Sequence, residues 1–472
     1  MMFFYLCLLA VLLATYWSVL NRVKRNSAGL TPLLGWLIGL GFFLIVPLVI
    51  LTLHGGYEMP ASEGITEAWT KVNLANPIFF RPYLVIWLST MLTCVAAMVS
   101  SGAAVAKDAE TCVISLRKLE RVILVTMALS IVDWVVLIWL VGGVAQFLVS
   151  HWYLRGEVLA ERFGSSFTLY TRTSLANQLL FTGAAALYSG LALRDRSTRW
   201  GFTALMFLFL ILEMIMSGNR IFIAFYLLAL VASGWLYGRR KLIALLMVAS
   251  PLLILLFSAW GAVRHDLSKI PETVDGGAIE LDVSGQALSN LMHVTEGGAV
   301  MLLMHIVNDF GNKFDYLYGS TYGRVFTFWL PRSIYPSRPL DFTNQAAILY
   351  LPGETTSLCS TALGEACANF GMVGIMALPL FTWAVACYTK YLAGGTGGRP
   401  LLSAVSFVVL IWFARCTFAE NVINLIEAAL LIWALRLEKG LCTTEAPVRF
   451  QGATPNAGLF LPPSFESPDP LG

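Results

Sequence analysis

Aromatic residues and arginines alternate between residues 318 and 339, in a chain that is otherwise mostly apolar. A guanidinium group matches a phosphate with two parallel hydrogen bonds, and aromatic rings stack on the apolar faces of sugars. The segment therefore predicts a binding site for a glycan that carries a phosphate or diphosphate. The predicted substrate-binding residues here are Tyr322, Arg324, Tyr335 and Arg338, and Arg332 is predicted to act in catalysis.

Three prolines stiffen the same segment: Pro331, Pro336 and Pro339. Proline removes a backbone donor and clashes with the preceding turn of a helix, so this stretch cannot form one long regular helix. The alternative interpretation is a helix on the membrane surface with a belt of aromatic residues. The prolines favour the binding site over that alternative.

Glu365 and Asn369 stand at the start of the next apolar segment, between Gly364 and Gly371. A glutamate in the first turn of a helix is stabilised by the helix dipole, which is a purely structural explanation. A carboxylate in a substrate pocket would instead act as the general base toward a sugar hydroxyl. We take Glu365 as the candidate base, with a histidine of the loop as the alternative, and Asn369 as a candidate substrate ligand.

Three further arginines stand where apolar segments end. Arg220 closes the turn Ser217-Gly-Asn-Arg220, Arg264 follows Trp260 into a long polar segment, and Arg415 precedes the last apolar run. An arginine at the membrane boundary either meets an anion or lies among lipid headgroups. We assign Arg220 to catalysis and Arg264 and Arg415 to substrate binding.

The composition is that of a membrane protein. Of 472 residues, 57% are hydrophobic and 12% are charged, whereas soluble domains carry about 25% charge. Neither a polybasic run nor a phosphate-binding GxxxxGK motif occurs, so nucleic acid and nucleotide are not expected as partners. Histidine and cysteine spacings do not fit a metal site, so no metal and no cofactor is expected.

Apolar runs near 20 residues predict membrane-spanning helices. We therefore expect an all-α, polytopic bundle of about 11 spans, the first of them retained and not removed as a signal peptide. The predicted spans are 2–20, 30–53, 82–104, 122–149, 174–193, 200–216, 221–237, 242–260, 365–389, 401–414 and 422–435.

The distribution of lysine and arginine sets the expected orientation. With the amino terminus outside, the inner segments hold 18 of the 31 basic residues, the short outer segments hold seven, and the long loop holds six. The bundle is predicted over 1–436, including a large outer loop at 261–364 with interfacial or re-entrant helices near 286–307 and 321–330. The proline-rich tail, 437–472, is predicted to be disordered and cytoplasmic.

Three acidic residues, Asp133, Glu213 and Glu427, fall in or near apolar spans. Charged groups inside a membrane invite a functional interpretation. Polar contacts within the helix bundle are the simpler explanation.

Four motifs in the second half of the chain resemble those of the bacterial oligosaccharide repeat-unit polymerases, the Wzy-type O-antigen polymerases. They are Ser217-Gly-Asn-Arg220, the run Tyr318–Tyr322, Leu330-Pro-Arg332 with Tyr335-Pro-Ser-Arg-Pro339, and Gly364-Glu365 with Asn369-Phe-Gly371. The resemblance covers roughly 215–420, and the amino-terminal half matches only in hydropathy.

The resemblance implies a metal-independent glycosyltransferase of the bacterial inner membrane. Such an enzyme moves a growing glycan from polyprenyl diphosphate, typically undecaprenyl diphosphate, onto a new lipid-linked repeat unit, building O-antigen, capsule or exopolysaccharide. A flippase and a chain-length regulator of the same pathway are the implied partners. By this resemblance Arg220, Arg264, Arg332 and Arg415 would stabilise the leaving diphosphate.

Two other classes of protein remain open. A ligase of the O-antigen type shares the membrane plan and the arginines, and differs only in its acceptor. A lipid-linked oligosaccharide flippase or other transporter would need ionisable groups along the centre of the bundle. The charges here cluster at one end of the predicted bundle, which favours transfer over transport.

Overall fold

The computed structural model describes residues 1–27, 29–58, 70–101, 113–144, 147, 167–195, 200–217, 221–249, 297–330, 334–351, 358–394, 399–415, 417–439 and 441–443. These residues are almost entirely helical, which confirms the all-α prediction. The longer helices in the amino-terminal half are α1 Met2–Asn26, α2 Pro32–His54, α3 Phe80–Ser101, α4 Leu116–Val141, α5 Phe167–Asp195, α6 Trp200–Ser217 and α7 Ile221–Leu236. Residues 240–249 are also helical.

Seven helices follow in the described part of the carboxy-terminal half. They are α8 Gly297–Asp309, α9 Ser320–Thr327, α10 Phe342–Tyr350, α11 Ala362–Phe370, α12 Ala377–Ala393, α13 Pro400–Arg415 and α14 Phe418–Ala434. A 3-10 segment, Gly371–Met376, joins α11 to α12, and a π-helical turn, Gly41–Ile45, interrupts α2.

Among the described residues, five helical segments are long and apolar enough to cross a membrane: Met2–Asn26, Pro32–His54, Pro77–Ser101, Leu116–Val141 and Ala362–Ala393. Shorter apolar helices cover Gly201–Ser217, Ile221–Leu236 and Pro400–Arg415. The chain is therefore a helical membrane protein. Each of the eleven predicted spans contains helix in the part that the structure describes, and the number of spans stays a prediction.

Helix α13 lies at the centre of the bundle, with nearly every residue from Leu401 to Ala414 buried. Glycines allow its neighbours to approach closely. A Cβ atom on Gly35 or Gly39 of α2 would lie 2.3 Å or 2.7 Å from the α13 carbonyl oxygens of Phe407 and Ile411. Small residues four positions apart commonly occur where helices pack in membranes. The hydrophobic effect does not drive helices together in lipid, so their association depends on close packing of the backbones.

The predicted outer loop contains helices near both expected places. Helix α8 overlaps the predicted stretch 286–307, and α9 overlaps 321–330. The two differ in environment, because α8 is mostly buried while α9 buries only Thr321. The amphipathic pattern of α9 suits a boundary position, whereas α8 is part of the core.

Two short antiparallel pairs complete the structure. Strand β1 (Gly56–Glu58) pairs with β2 (Lys71–Asn73), and β3 (Val113–Ile114) pairs with β4 (Cys442–Thr443). The second pair differs from the prediction that the tail is disordered from residue 437, because backbone hydrogen bonding to the 113–115 segment orders residues 441–443. Residues 444–472 lie outside the described part of the chain.

Candidate functional site

The loop that precedes α9 is fastened to α11 by the side chain of Asn369, which is almost fully buried. Its Oδ1 accepts a hydrogen bond from the Gly319 backbone N–H at 2.9 Å, and its Nδ2 donates to the Thr321 hydroxyl at 2.8 Å. The same Nδ2 donates to the Glu365 carbonyl at 2.8 Å. Both ends of the amide are therefore used inside the protein, so the geometry gives Asn369 a positioning role instead of the predicted substrate contact.

Gly319 adopts a left-handed backbone conformation, with φ of 82°, immediately before α9. Glycine takes this conformation at little cost because it has no Cβ atom. The turn directs the chain so that the Gly319 N–H reaches Asn369, and α9 starts above α11.

Glu365 is completely buried in the first turn of α11. Its Oε2 accepts a short hydrogen bond from the Phe418 backbone N–H, at the start of α14. The α14 N-cap residue, Thr417, makes no side-chain capping bond, so Glu365 caps this helix from another element. Its second oxygen, Oε1, has no hydrogen-bond partner among the residues described.

Tyr322 packs between α11 and α14. Its ring lies 4.7 Å from the Phe418 ring and 5.4 Å from the Phe370 ring, centroid to centroid. Burial raises the pKa of the Tyr322 hydroxyl, and the negative charge of Glu365 raises it further. The aromatic ring is part of the packing beneath the site, which differs from the sugar-stacking role predicted for it.

Arg324 projects from α9 toward the start of α10. Its guanidinium lies 3.4 Å from the Asp341 carboxylate and donates to the Pro339 carbonyl at 3.3 Å. Asp341 in turn caps α10 by accepting from the Asn344 backbone N–H at 2.9 Å. The guanidinium Nε is buried without a hydrogen-bond partner in the described part of the chain, which leaves one donor of Arg324 unused.

Three arginines from distant parts of the sequence act electrostatically on one carboxylate, Glu420 in the first turn of α14. They are Arg172 of α5, Arg324 of α9 and Arg415 at the end of α13. Asp341 also acts on Glu420. We call these five residues the arginine–carboxylate cluster. Of its arginines, Arg324 and Arg415 were predicted to bind substrate, whereas Arg172 was not.

The cluster continues along one face of α14. Polar residues recur there at helical spacing: Thr417, Glu420, Asn421, Asn424 and Glu427. Arg172 donates to the Asn424 Oδ1 at 3.0 Å. Four polar atoms on this face have no hydrogen-bond partner among the described residues: Thr417 Oγ1, Asn421 Oδ1, Asn424 Nδ2 and Glu427 Oε2. Buried polar atoms are normally hydrogen-bonded, so this face is suited to water or a polar ligand.

Arg338 and Tyr335 form a turn beside the cluster, where the Arg338 N–H donates to the Tyr335 carbonyl at 3.1 Å. The Arg338 guanidinium donates to the carbonyls of Phe328 and Leu330 at 2.8 and 2.9 Å. These bonds give Arg338 a structural task, since they hold the end of α9 against the turn. Three large side chains nearby are exposed to the surroundings: Tyr318, Phe326 and Trp329.

The alternative base, a histidine of the loop, has one described representative. His305 lies on α8, where its Nε2 is 3.2 Å from the Lys71 carbonyl and its ring packs against Phe79. Burial lowers the pKa of His305. None of these contacts is to the arginine–carboxylate cluster, so His305 is a structural histidine in this geometry.

Three predicted site residues lie outside the described part of the chain: Arg220, Arg264 and Arg332. Their roles stay predictions. Of the residues that the structure describes, Glu365, Arg324 and Arg415 converge around the start of α14, with Tyr322 and Asn369 packed beneath them. No group of three or more histidine, cysteine or acidic side chains suited to a metal occurs within the described ranges.

The sequence did not predict Arg172 or Asp341 as site residues. It also did not predict that Glu420 is the carboxylate on which three arginines act. A local signal existed for α14, because its polar residues recur at intervals of three and four. A polar face on an otherwise apolar helix predicts burial against other polar groups. The sequence carries no comparable signal for Arg172, whose partners are supplied by helices far along the chain.

Comparisons with protein-family models, with curated proteins and with solved structures found no match.

Proposed function

We propose that this chain is a glycosyltransferase of the bacterial plasma membrane that joins oligosaccharide units carried on polyprenyl diphosphate. The observation that supports it best is the arginine–carboxylate cluster, in which Arg172, Arg324 and Arg415 act electrostatically on Glu420 at the start of α14. Arginine binds diphosphate oxygens strongly and cannot lose its charge. An arginine group beside a carboxylate provides the two features that such a transfer requires.

The proposed reaction displaces a diphosphate. An acceptor sugar hydroxyl attacks the anomeric carbon of the donor glycan, a new carbon–oxygen bond forms, and the bond to the diphosphate oxygen breaks. The hydroxyl proton passes to a carboxylate, and polyprenyl diphosphate leaves with the bonding electron pair. The arginines stabilise the charge that develops on the leaving group, so the reaction draws its energy from the substrate itself.

Glu420 is better placed than Glu365 to accept the proton. Glu420 is partly accessible, whereas Glu365 is fully buried and one of its oxygens caps α14. Burial raises the pKa of Glu420, and the charges of Arg172, Arg324 and Arg415 oppose that rise. A carboxylate with a raised pKa binds a proton more readily than an exposed one. In this proposal Glu365 is a positioning residue, because it fixes the helix that carries Glu420.

The decisive experiment follows the surface polysaccharide of the host. Deletion of the gene is expected to leave a band of single repeat units on a gel. Complementation with the wild-type gene is expected to restore the ladder of polymer. Long polymer retained on the lipid carrier after deletion would support the ligase instead. An unchanged polysaccharide would contradict both transfer reactions and favour transport.

The same assay tests the cluster. Arg324→Gln is expected to lose polymer by about 100-fold or more, because a charge that stabilises the transition state is removed. Arg240→Gln is the matched control, since Arg240 is exposed and distant in sequence from the cluster. Protein levels and monodispersity of each variant are measured by size-exclusion chromatography. Equal polymer from both variants would count against the arginine–carboxylate cluster as the site.

A further inference from the structure

A second polar group lies inside the helix bundle, between α4, α5 and α6. It comprises Asp133 and Ser130 of α4, Ser174 and Asn177 of α5, and Glu213 of α6, and we call it the interhelical carboxylate group. Ser174, Asn177 and Gln178 share one face of α5, because residues three and four apart lie above each other on a helix. Arg172 points instead toward Asn424 of α14, so this group is separate from the arginine–carboxylate cluster.

Hydrogen bonds organise the group around its two carboxylates. The Ser174 hydroxyl donates to Asp133 Oδ2 at 2.7 Å. The Asn177 amide donates to the Ser130 hydroxyl at 2.9 Å and to the Thr126 carbonyl at 3.1 Å. Ser130, Trp134 and Gln178 are near enough to the Glu213 carboxylate to act on it electrostatically. Hydrogen bonds therefore join α4 to α5, and Glu213 of α6 lies close to them.

The network contains two carboxylates that have no positively charged partner among the residues that the structure describes. Glu213 is 3% exposed, and Asp133 is near enough for the two carboxylates to repel each other. Within the described ranges, neither carboxylate forms a salt bridge to a lysine, arginine or histidine. Two acidic groups inside a membrane bundle are costly unless something neutralises them.

Two buried oxygens of this group also lack a donor. Glu213 Oε2 and Asn177 Oδ1 have no hydrogen-bond partner among the described residues, although both side chains are more than nine-tenths buried. A proton on Glu213 neutralises that side chain alone and leaves the charge of Asp133 without a positive partner among the described residues. A cation with several oxygen ligands satisfies both oxygens and offsets part of the negative charge, since hard cations take carboxylate, amide and hydroxyl oxygens.

We propose that the interhelical carboxylate group binds a sodium ion. Asp133 and Glu213 supply the charge, and Asn177 and Ser130 supply neutral oxygens. The set has two carboxylates and two neutral oxygens, with no third acidic ligand in the described part of the chain. That is fewer than the roughly six to eight oxygens that calcium takes, so we assign a weakly held monovalent ion. The ion joins α4, α5 and α6, and its binding does not depend on glycan transfer.

The test measures binding of radioactive ²²Na⁺ to the purified full-length protein at pH 8 in potassium-free and potassium-containing buffers of equal ionic strength. Saturable binding of one ion per chain is expected. Glu213→Gln and Asp133→Asn are expected to weaken it at least 10-fold, since each removes a charged ligand. Glu58→Gln is the matched control, because Glu58 is exposed and paired with Lys71.

Several results would overturn the sodium site. These are the absence of saturable binding, unchanged binding in folded Asp133→Asn, equal displacement by potassium, and binding of magnesium or calcium alone. Stabilisation by acid with no effect of sodium would assign a proton to the group instead. Arg324→Gln is expected to bind sodium like wild type, which separates this proposal from the glycosyltransferase proposal. If Glu213→Gln does not fold, Asp133→Asn and Asn177→Ala decide the question.

Discussion

At the scale of single residues, the role that a side chain is expected to have within its own helix differs from the contact it makes with another helix. Glu365 stands in the first turn of α11, where its sequence position suggests dipole stabilisation of its own helix. Its carboxylate instead caps α14 by accepting from the Phe418 N–H. One residue of α11 thus holds the start of α14, two residues before Glu420.

This difference predicts separate outcomes for two variants. Glu365→Gln keeps an acceptor oxygen for the Phe418 N–H, so it is expected to unfold near the wild-type temperature and to retain transfer activity within a few-fold. Glu365→Ala removes the cap and is expected to destabilise the protein by about 1 kcal/mol. Thermal unfolding in detergent micelles measures the stability of both variants, and the polymer assay measures their transfer activity.

Glu420→Gln provides the comparison. It is expected to lose activity by about 100-fold or more while remaining folded, because general bases contribute about 10²-fold to 10⁴-fold. If Glu365→Gln is folded and as inactive as Glu420→Gln, then Glu365 is the base, as its sequence context predicted.

At the scale of elements, α13 organises the bundle through contact with α2. Gly39 lies so close to the Ile411 carbonyl that a side chain does not fit without movement of the backbone. The end of α13 carries Arg415, and α14 begins three residues later. Packing of α2 against α13 therefore determines where two members of the arginine–carboxylate cluster stand.

Gly39→Ala is expected to lower the free energy of unfolding by about 1–3 kcal/mol, which is the usual cost of overpacking. Gly201→Ala is the matched control, since a Cβ atom there meets nothing within 4 Å, and its effect is expected to stay within about 0.5 kcal/mol. Both are measured by thermal unfolding in the same detergent. Equal stability of the two variants would show that α2 and α13 are packed less closely than these distances indicate.

At the scale of the whole molecule, α5 links the two polar groups of the bundle. Arg172 faces α14 and Ser174 faces Asp133 of α4, because residues two apart point to opposite sides of a helix. A shift of α5 would therefore displace residues of both groups. Arg172 and Ser174 stand near the same end of α5, which begins at Phe167, so the two groups lie at similar depth along this helix.

The orientation of the molecule is testable with two epitope tags. Eleven spans with the amino terminus outside place an amino-terminal tag outside and a carboxy-terminal tag inside. Protease added to intact spheroplasts is expected to remove only the amino-terminal tag, with lysed spheroplasts as the control for cleavage of both. Equal protection or equal loss of the two tags in intact spheroplasts would require an even number of spans.

The sequence by itself determined the class of protein and most helices. The length of apolar runs follows from the thickness of the bilayer, so helix in each predicted span could be anticipated. The apolar stretches near 286–307 and 321–330 likewise predicted helices close to the observed positions of α8 and α9. The alternation of arginine and aromatic residues pointed to the segment that contains Arg324, which does belong to the arginine–carboxylate cluster.

Only the tertiary structure decided which side chains meet. Arg172 and Glu420 come together because α5 packs against α14, and no local pattern encodes that pairing. Asn369 and Arg338 fit a binding role in the sequence, yet their hydrogen bonds to backbone groups occupy them within the protein. Local sequence fixes what a residue is able to do, whereas packing of distant helices fixes which of those capacities is left free for a ligand.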